Sequence, residues 1–205
     1  FFESGESLLF YGQTLDGAFG KSNVYWLTWG GEAGLRMQDQ PGMPSESFDV
    51  PQTFQTTRHF ELNTSYYSNK ASGDLADHWY WGVVFNFSPV AARQFKVNLG
   101  VLPDAGASKI TVSGLLRGYM GVPFNRAKVF LNGTLLGNVD MTMNTWNEFS
   151  FPDVPQTLLI TGENIIEIQT PLEDGLTLNA VLVNWFEFTY NDAYMAESDQ
   201  LFFDG

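Results

Sequence analysis

The segment DHWYWG, residues 77–82, places a carboxylate, an imidazole and three large aromatic rings side by side. An Asp–His pair supplies the acid–base part of a hydrolytic triad, and a serine would have to complete it. Adjacent Asp77 and His78 cannot orient one another as triad members do, and no serine stands in a G-x-S-x-G turn. The sequence favours the alternative, in which His78 hydrogen-bonds at the entrance of a strand.

Oxygen and nitrogen ligands for a metal ion occur on two other strand-like segments. Zinc is disfavoured because His59 and His78 are the only imidazoles and the chain has no cysteine. Calcium prefers carboxylate and amide oxygens, and Glu61 and Asn63 share the polar face of one segment. Glu187 lies on the polar face of the last long segment, so the three residues could meet if these strands are neighbours. The alternative is a solvated face carrying exposed acids.

Aromatic residues outside the strand alternation are candidates for sugar stacking. Trp146 lies in the loop segment MNTWNEF, and Tyr67, Tyr119 and Trp29 are comparable cases. Rings on the rim of a sandwich suit the apolar face of a pyranose. The alternative is that these rings close the ends of the sandwich.

A pair of carboxylates facing each other across a cleft would indicate glycoside hydrolysis. Many acids fall in predicted loops, but no spacing singles out a pair. A glycan-active hydrolase using loop carboxylates therefore remains the alternative to a non-catalytic module. The candidates are Asp74, Asp77, Asp104, Asp140, Glu148, Asp153, Glu173 and Asp174.

The composition excludes several classes of partner. The chain has 23 acidic and 10 basic residues, a net charge of −13, which repels the phosphate backbone of nucleic acids. No apolar run approaches the roughly 20 residues of a membrane-spanning helix, so no membrane insertion is expected. The absence of cysteine excludes disulfides and a cysteine nucleophile within these 205 residues.

The elements that must position these residues are strands. Residues 79–87 alternate, with Trp79, Trp81, Val83, Phe85 and Phe87 predicted to face the core. Asn-Gly at residues 132–133 between apolar runs predicts a hairpin. With turn signals throughout and no long helical period, the sequence predicts an all-β fold. We expect an antiparallel β-sandwich of about eight to ten strands.

Several motifs in a fixed order resemble a known family. These are SLLFYGQ, NVYWLTWGGEAGLRM, HFELN, DHWYWG, KVFLNGTLLG, GENIIEI and VNWFEFTYNDAYMAESDQLFF. Together they resemble the non-catalytic β-sandwich region that precedes the caspase-like domain of bacterial gingipain-type (family C25) cysteine peptidases. The strand order from Phe60 to Tyr190 also looks similar to galactose-binding-like jelly rolls, which include carbohydrate-binding modules.

The resemblance implies a secreted or cell-surface bacterial parent with several domains, whose catalytic Cys and His lie elsewhere. It gives no reason to assign peptidase activity to this chain, so we expect no enzyme here. In similar carbohydrate-binding modules a structural calcium sits where the first and last sandwich strands meet. Glu61, Asn63 and Glu187 would correspond to that position.

We therefore expect an accessory module that docks a neighbouring domain of the same polypeptide or binds a glycan or surface. The predicted organisation has three parts. They are N-terminal strands and a loop packed on the sandwich (residues 1–56), the jelly roll (57–190) and a C-terminal extension or linker (191–205).

Overall fold

The computed structural model describes residues 12, 23–31, 52–68, 77–86, 90–100, 102, 106, 108–194 and 196. The chain divides into two compact units, Phe1–Asp49 and Val50–Gly205. In the first unit, the described residues 23–31 are extended, and Trp26 and Trp29 are 91% and 89% exposed. None of the described residues belongs to a helix long and apolar enough to cross a membrane.

The second unit is built from antiparallel sheets of five, four and two strands. The five-stranded sheet has the order β1-β11-β6-β9, with β4 also paired to β11, and the four-stranded sheet has the order β5-β10-β7-β8. β2 and β3 form the two-stranded sheet. The strands are β1 (Thr53–Glu61), β2 (Ser65–Tyr66), β3 (Trp79–Tyr80), β4 (Gly82–Asn86), β5 (Val90–Asn98), β6 (Lys109–Val122), β7 (Asn125–Leu131), β8 (Thr134–Met141), β9 (Trp146–Pro155), β10 (Glu163–Pro171) and β11 (Leu178–Ala193).

The chain passes back and forth between the two large sheets. It runs from β4 to β5, then to β6, to the β7–β8 hairpin, to β9, to β10 and finally to β11. This connectivity is that of a jelly roll, and it confirms the predicted all-β antiparallel sandwich. Asn132 and Gly133 join β7 to β8 with positive φ angles of 47° and 84°, as an Asn-Gly hairpin turn requires. The division of the chain at residues 56 and 190 remains a prediction, while β1 begins at Thr53 and β11 ends at Ala193.

The core lies between the two large sheets and is rich in rings. Phe186 is fully buried and contacts Trp81, Phe95 and Phe149, with ring centroids 5.7, 5.5 and 6.4 Å away. Offset and edge-on ring pairs of this kind add stability beyond the burial of their area. Many core positions agree with the alternation seen in the sequence. They include Trp81, Ile110, Val112, Phe149, Ile166, Ile168, Phe186 and Phe188, with Phe60 and Phe151 packed against them.

The predicted alternation of residues 79–87 is wrong on both sides of Trp81. Trp79 is 43% exposed, Val83 and Phe85 are half-buried, and Val84 is the residue that enters the core. The reason is that the chain bends at Trp81. β3, before the bend, pairs with β2, and β4, after the bend, pairs with β11. One residue outside the strands shifts every later side chain to the other face. Phe87 lies outside the described residues.

The alternation of Phe60 and Leu62 in the segment HFELN predicts that Leu62 also faces the core, and this prediction is wrong as well. It follows the last residue of β1 and is 53% exposed. Because the ladder between β1 and β11 ends at Glu61, the strand alternation does not extend to the next residue. The apolar side chain is left at the surface.

β11 is the strand around which the five-stranded sheet is organised. It pairs with β6 along one side, and with β1 and β4 along the other. A β-bulge interrupts the pairing with β6, because Val183 is opposite Leu116 and Trp185 is opposite Leu115, which leaves Asn184 as the extra residue. Asn184 is 3% exposed and uses its amide to bind the segment that leads into β3.

Candidate functional site

Asp77 and His78 serve the local structure of a strand entrance. Asp77 Oδ1 accepts a hydrogen bond from the backbone N–H of Trp79 at 2.8 Å, and its Oδ2 accepts one from Asn184 Nδ2 at 2.7 Å. His78 Nδ1 lies 3.3 Å from the carbonyl oxygen of Tyr67. The two side chains are therefore engaged with different partners, as the strand-entrance interpretation predicts.

The short hairpin of β2 and β3 is fastened to the outer face of the five-stranded sheet. Asn184 Nδ2 also donates to the carbonyl of Trp79 at 3.1 Å, and Thr64 Oγ1 donates to the carbonyl of Trp81 at 2.7 Å. The backbone N–H of Tyr67 donates to the carbonyl of His78 at 3.0 Å. These bonds fix the position of Tyr80, whose side chain is fully buried.

Four rings and one guanidinium form a connected cluster on this outer face, which we call the aromatic platform: Tyr67, Tyr80, Arg117, Tyr119 and Trp146. Tyr80 stacks on Trp146 at 5.5 Å with planes 19° apart. Tyr67 contacts Tyr80 at 5.8 Å and Tyr119 at 5.4 Å, both edge-on. The central carbon of the Arg117 guanidinium lies 5.1 Å from the centre of the Trp146 ring. Trp146 is 38% exposed, so the platform reaches solvent through this ring.

The strand register explains why Arg117 and Trp146 meet. They are directly opposite each other in β6 and β9, and opposite residues in an antiparallel pair project from the same face. Leu116 is in the core, so its neighbour Arg117 must point outward. Two more exposed rings pair with each other on the hairpin, since Tyr66 and Trp79 are 56% and 43% exposed and lie 5.1 Å apart. Because Trp79 precedes Tyr80 in β3, these two rings project from the opposite face of the hairpin.

A tight turn at residues 142–145 places Trp146 at the start of β9. The backbone N–H of Asn144 donates to the carbonyl of Gly118 at 2.7 Å, and the N–H of Gly118 donates to the carbonyl of Thr145 at 3.2 Å. Thr145 Oγ1 closes the turn by donating to the carbonyl of Thr142 at 2.7 Å. Asn144 has a φ of 62°, a conformation that asparagine tolerates well. The turn can approach β6 this closely because residue 118 has no side chain.

Burial and neighbouring charge change the acidity of the platform tyrosines. Burial raises the pKa of Tyr80, the Asp77 carboxylate raises it further, and the Arg117 guanidinium opposes both effects. Burial also raises the pKa of Tyr67, with a smaller contribution from Tyr119 and an opposing one from Arg93. The hydroxyls are therefore neutral hydrogen-bonding groups at physiological pH.

The proposed calcium ligands lie at a second place on the same outer face. His59 is opposite Glu187 in the β1–β11 ladder, and its Nδ1 is 2.9 Å from Glu187 Oε1. His59 Nε2 is 3.5 Å from Glu61 Oε2, so the imidazole bridges the two carboxylates. Asn63 lies beyond the end of β1 and is exposed. Within the described part of the chain, no group of three or more His, Asp or Glu side chains is arranged to hold a metal ion.

Several of the loop carboxylates considered for hydrolysis are held in ion pairs. Asp140 and Asp174 both bind Arg126, and the Arg126–Asp140 contact is 2.6 Å. Asp153 binds Lys109 at 2.8 Å, and Glu173 binds Lys128 at 2.6 Å. The hydrogen bond from Arg126 lowers the pKa of Asp140. Asp74 and Asp104 lie outside the described residues.

The structure brings together three of the four aromatic residues named from the sequence, since Tyr80 links Tyr67 and Tyr119 to Trp146. Trp29 belongs to the first unit, where its side chain is 89% exposed. Ligand binding by these four aromatic residues stays a prediction, and so does metal binding by Glu61, Asn63 and Glu187. Sequence reasoning missed Tyr80 and Arg117. The sequence did carry a signal for Tyr80, because in the alternation of residues 79–87 it falls on the face predicted to point away from the core.

Solved structures similar to this chain include latent PorU from Porphyromonas gingivalis, at 16% identity and a TM-score of 0.48, over 73% of this chain and 14% of that one. The carbohydrate-binding module CBM36 in complex with calcium and xylotriose is 14% identical, with a TM-score of 0.39, over 64% of this chain and 98% of that one. A family 35 carbohydrate-binding module from Clostridium thermocellum is 12% identical, with a TM-score of 0.32, over 66% and 90%.

The structural neighbours thus include a gingipain-like C25 peptidase, PorU, and carbohydrate-binding modules, the same two groups that the sequence motifs resemble. The chain spans only 14% of the length of PorU. No family model matches the chain, and no curated protein matches its sequence. At these identities and TM-scores the similarity does not extend to function, which has to be argued from the side chains of this chain.

The turn before Trp146 generates a prediction about Gly118→Ala. A Cβ at residue 118 would lie 2.5 Å from the carbonyl oxygen of Thr142 and 2.6 Å from Asn125 Oδ1, so backbone must move. We expect the free energy of unfolding to fall by about 1–3 kcal/mol, together with a changed near-ultraviolet circular dichroism signal as Trp146 shifts on Tyr80. Thermal and denaturant unfolding measure the first effect.

The matched control is Gly12→Ala, where a Cβ would meet only the Tyr25 ring, at an ordinary 3.8 Å. It should leave both signals unchanged. If the Gly118 variant melted with the wild-type chain and kept its spectrum, the turn would not be held by close approach at residue 118.

Proposed function

We propose that the chain is a non-catalytic accessory β-sandwich module of a secreted or cell-surface multidomain bacterial protein, and that it binds glycan on the outer face of the five-stranded sheet. The observation that carries this proposal is the contact chain Tyr119–Tyr67–Tyr80–Trp146, which ends in a ring 38% exposed to solvent.

The chemistry of the platform suits a carbohydrate. The axial C–H groups of a pyranose form an apolar patch that stacks on an aromatic ring, while its hydroxyls need a few fixed polar groups. Trp146 offers the ring, and the buried Tyr80 beneath it fixes the ring's orientation. The Tyr80 hydroxyl and the Arg117 guanidinium, 3.4 Å apart, are the polar groups beside it.

Burial distinguishes a platform from rings that merely close the sandwich. Rings that plug an end are enclosed, as Tyr190 is, with no exposed surface. Trp146 is instead 38% exposed, and it belongs to a cluster of rings that are in contact with one another. An exposed ring held in such a cluster is a better candidate for an interaction site than a single exposed side chain.

Docking to a neighbouring domain of the same polypeptide is the second candidate function. Leu62 and Tyr66, which flank the start of the hairpin, are 53% and 56% exposed and are apolar enough to pack against protein. A docking surface would use the same rings without requiring their polar neighbours. The two functions therefore differ in whether a free oligosaccharide competes.

A glycan-active hydrolase is less well supported than a binding module. Its general acid would need a raised pKa, and an ion pair with arginine or lysine acts in the opposite direction. Asp140, Asp153, Glu173 and Asp174 all have such partners, and the pKa of Asp140 is lowered.

A structural calcium at Glu61, Asn63 and Glu187 is a further part of the proposal. It is supported by the pairing of β1 with β11, which brings Glu61 and Glu187 to the same His59 ring. Calcium would have to displace this imidazole from the carboxylates and draw Asn63 toward them. The ion would then join the first and last strands of the sandwich.

The glycan proposal is tested with Trp146→Ala. A glycan array followed by calorimetric titration of the best oligosaccharide should show saturable binding without turnover, weakened at least about tenfold by the variant, or about 1.4 kcal/mol. The matched control is Tyr194→Ala, which removes a 45% exposed ring packed on Phe54 outside the platform.

Equal affinities of the wild-type chain and the Trp146 variant would exclude the platform as the binding surface. Turnover that disappears on changing a single carboxylate would instead favour the hydrolase. Saturable binding to a purified neighbouring domain that no oligosaccharide displaces would favour docking.

The calcium proposal predicts a melting temperature that responds to the ion. An ion present at a hundred times its dissociation constant stabilises the fold by about 2.7 kcal/mol, so added calcium should raise the melting temperature by several degrees and EDTA should reverse this. Glu187→Gln should abolish the response, and Glu173→Gln, which changes a carboxylate paired with Lys128, should keep it. An unchanged melting temperature with calcium and with EDTA would remove the calcium site.

A further inference from the structure

Arg117 is a buried cation without a counter-ion in the described residues. It is 9% exposed, its Nε is buried without a hydrogen-bond partner, and its Nη1 donates a single long bond of 3.4 Å to the Tyr80 hydroxyl. Arg126 and Arg58 show the usual arrangement, since Arg126 pairs with Asp140 and Asp174 and Arg58 lies 3.5 Å from Asp192. The platform arginine departs from that arrangement.

An arginine in this state has a free-energy cost that an anion would relieve. A guanidinium presents five N–H donors in a planar fork that fits a carboxylate or sulfate in two parallel bonds. The Trp146 ring compensates only part of the charge, because a cation–π contact at a surface is weaker than a charge-assisted hydrogen bond. Satisfying buried donors with a ligand group is a strong source of discrimination between ligands.

One edge of the Arg117 guanidinium is left for a ligand. Nε is buried without a partner, and Nη1 donates to the Tyr80 hydroxyl. Nη2 makes no hydrogen bond in the described part of the chain and is not among its buried unpartnered atoms, so it is the donor that an anion can reach. The guanidinium lies beside Trp146, whose ring is partly exposed.

We propose that the aromatic platform selects glycans that carry an anionic substituent, a carboxylate or a sulfate, and that this group pairs with Arg117 while the sugar ring stacks on Trp146. The proposal rests on the glycan-binding function proposed above and specifies its ligand class. The net charge of −13 repels anions over most of the surface, so binding depends on this local cation. The Asp77 carboxylate keeps its negative charge while its oxygens accept hydrogen bonds, and it acts on the neighbouring Tyr80, so the attraction of Arg117 has to outweigh its repulsion of an anion.

The experiment compares three oligosaccharides with one backbone: neutral, carrying a uronate, and carrying a sulfate. Calorimetric titration of the wild-type chain at low salt should show the uronate or the sulfate form binding at least about tenfold more tightly than the neutral form. The preference should shrink as salt is added, because part of it is electrostatic. Whichever of the uronate and the sulfate oligosaccharides binds more tightly identifies the anion that the site accepts.

Arg117→Met keeps the stem that packs under Trp146 and removes the charge. It should bring the ratio of the anionic to the neutral affinity down to about one, and this ratio is the readout because Arg117 also stands beside the hydroxyls of a neutral sugar. Arg117→Lys keeps a charge but not the planar fork, so it should retain part of the preference. It takes the place of the methionine variant in this test if that variant does not fold.

The outcomes separate this inference from the function on which it rests. If the wild-type chain binds the neutral and both anionic forms with equal affinity, the anionic selection is overturned while glycan binding stands. If it binds none of the three, the proposed function fails as well. A preference for the anionic forms that survives in the Arg117→Met variant also overturns the role of Arg117.

Discussion

The hydrogen bonds of Asn184 connect the sandwich to the surface that we propose to be functional. β11 carries its bulge at this residue, and the buried amide reaches the Asp77 carboxylate at 2.7 Å and the Trp79 carbonyl at 3.1 Å. Bulges redirect side chains and are found where a sheet meets a functional region. Without this connection the two-residue strands of the hairpin would have little to hold them on the sheet, because isolated two-stranded ribbons are barely stable in water.

The two faces of the five-stranded sheet differ because the hairpin lies on only one of them. Its inner face joins an apolar core in which Phe186 touches three other rings, one of which, Trp81, directly follows the hairpin. Its outer face would be an ordinary solvated surface if the hairpin did not bring Tyr80 over Arg117 and Trp146. The same hairpin covers a cation that has no ion-pair partner among the described residues, so one structural contact produces both the stacking surface and its charge.

The sequence allowed the fold and part of the site to be predicted, for identifiable reasons. The Asn132-Gly133 turn and the alternation around Phe186 and Phe188 are local signals, and they gave the hairpin and the inward face correctly. The alternation of residues 79–87 misled because a bend at Trp81 shifts the register. Gly82, next to the bend, is the local signal that was not used, since a glycine inside a strand pattern often marks an irregularity. Arg117 could not be singled out, because what distinguishes it is its burial without an ion-pair partner among the residues that the structure describes, and this is a property of the folded chain.

A double-mutant cycle between Asp77 and Asn184 tests most directly whether this contact holds the hairpin on the sheet. The free energies of unfolding of Asp77→Ala, Asn184→Ala and the double variant give the coupling between the two side chains. We expect a coupling of about 1 kcal/mol or more, as for residues that share a buried hydrogen bond. Effects that add to within about 0.5 kcal/mol would show that the hairpin is held by other contacts, and the account of the platform would then lose its foundation.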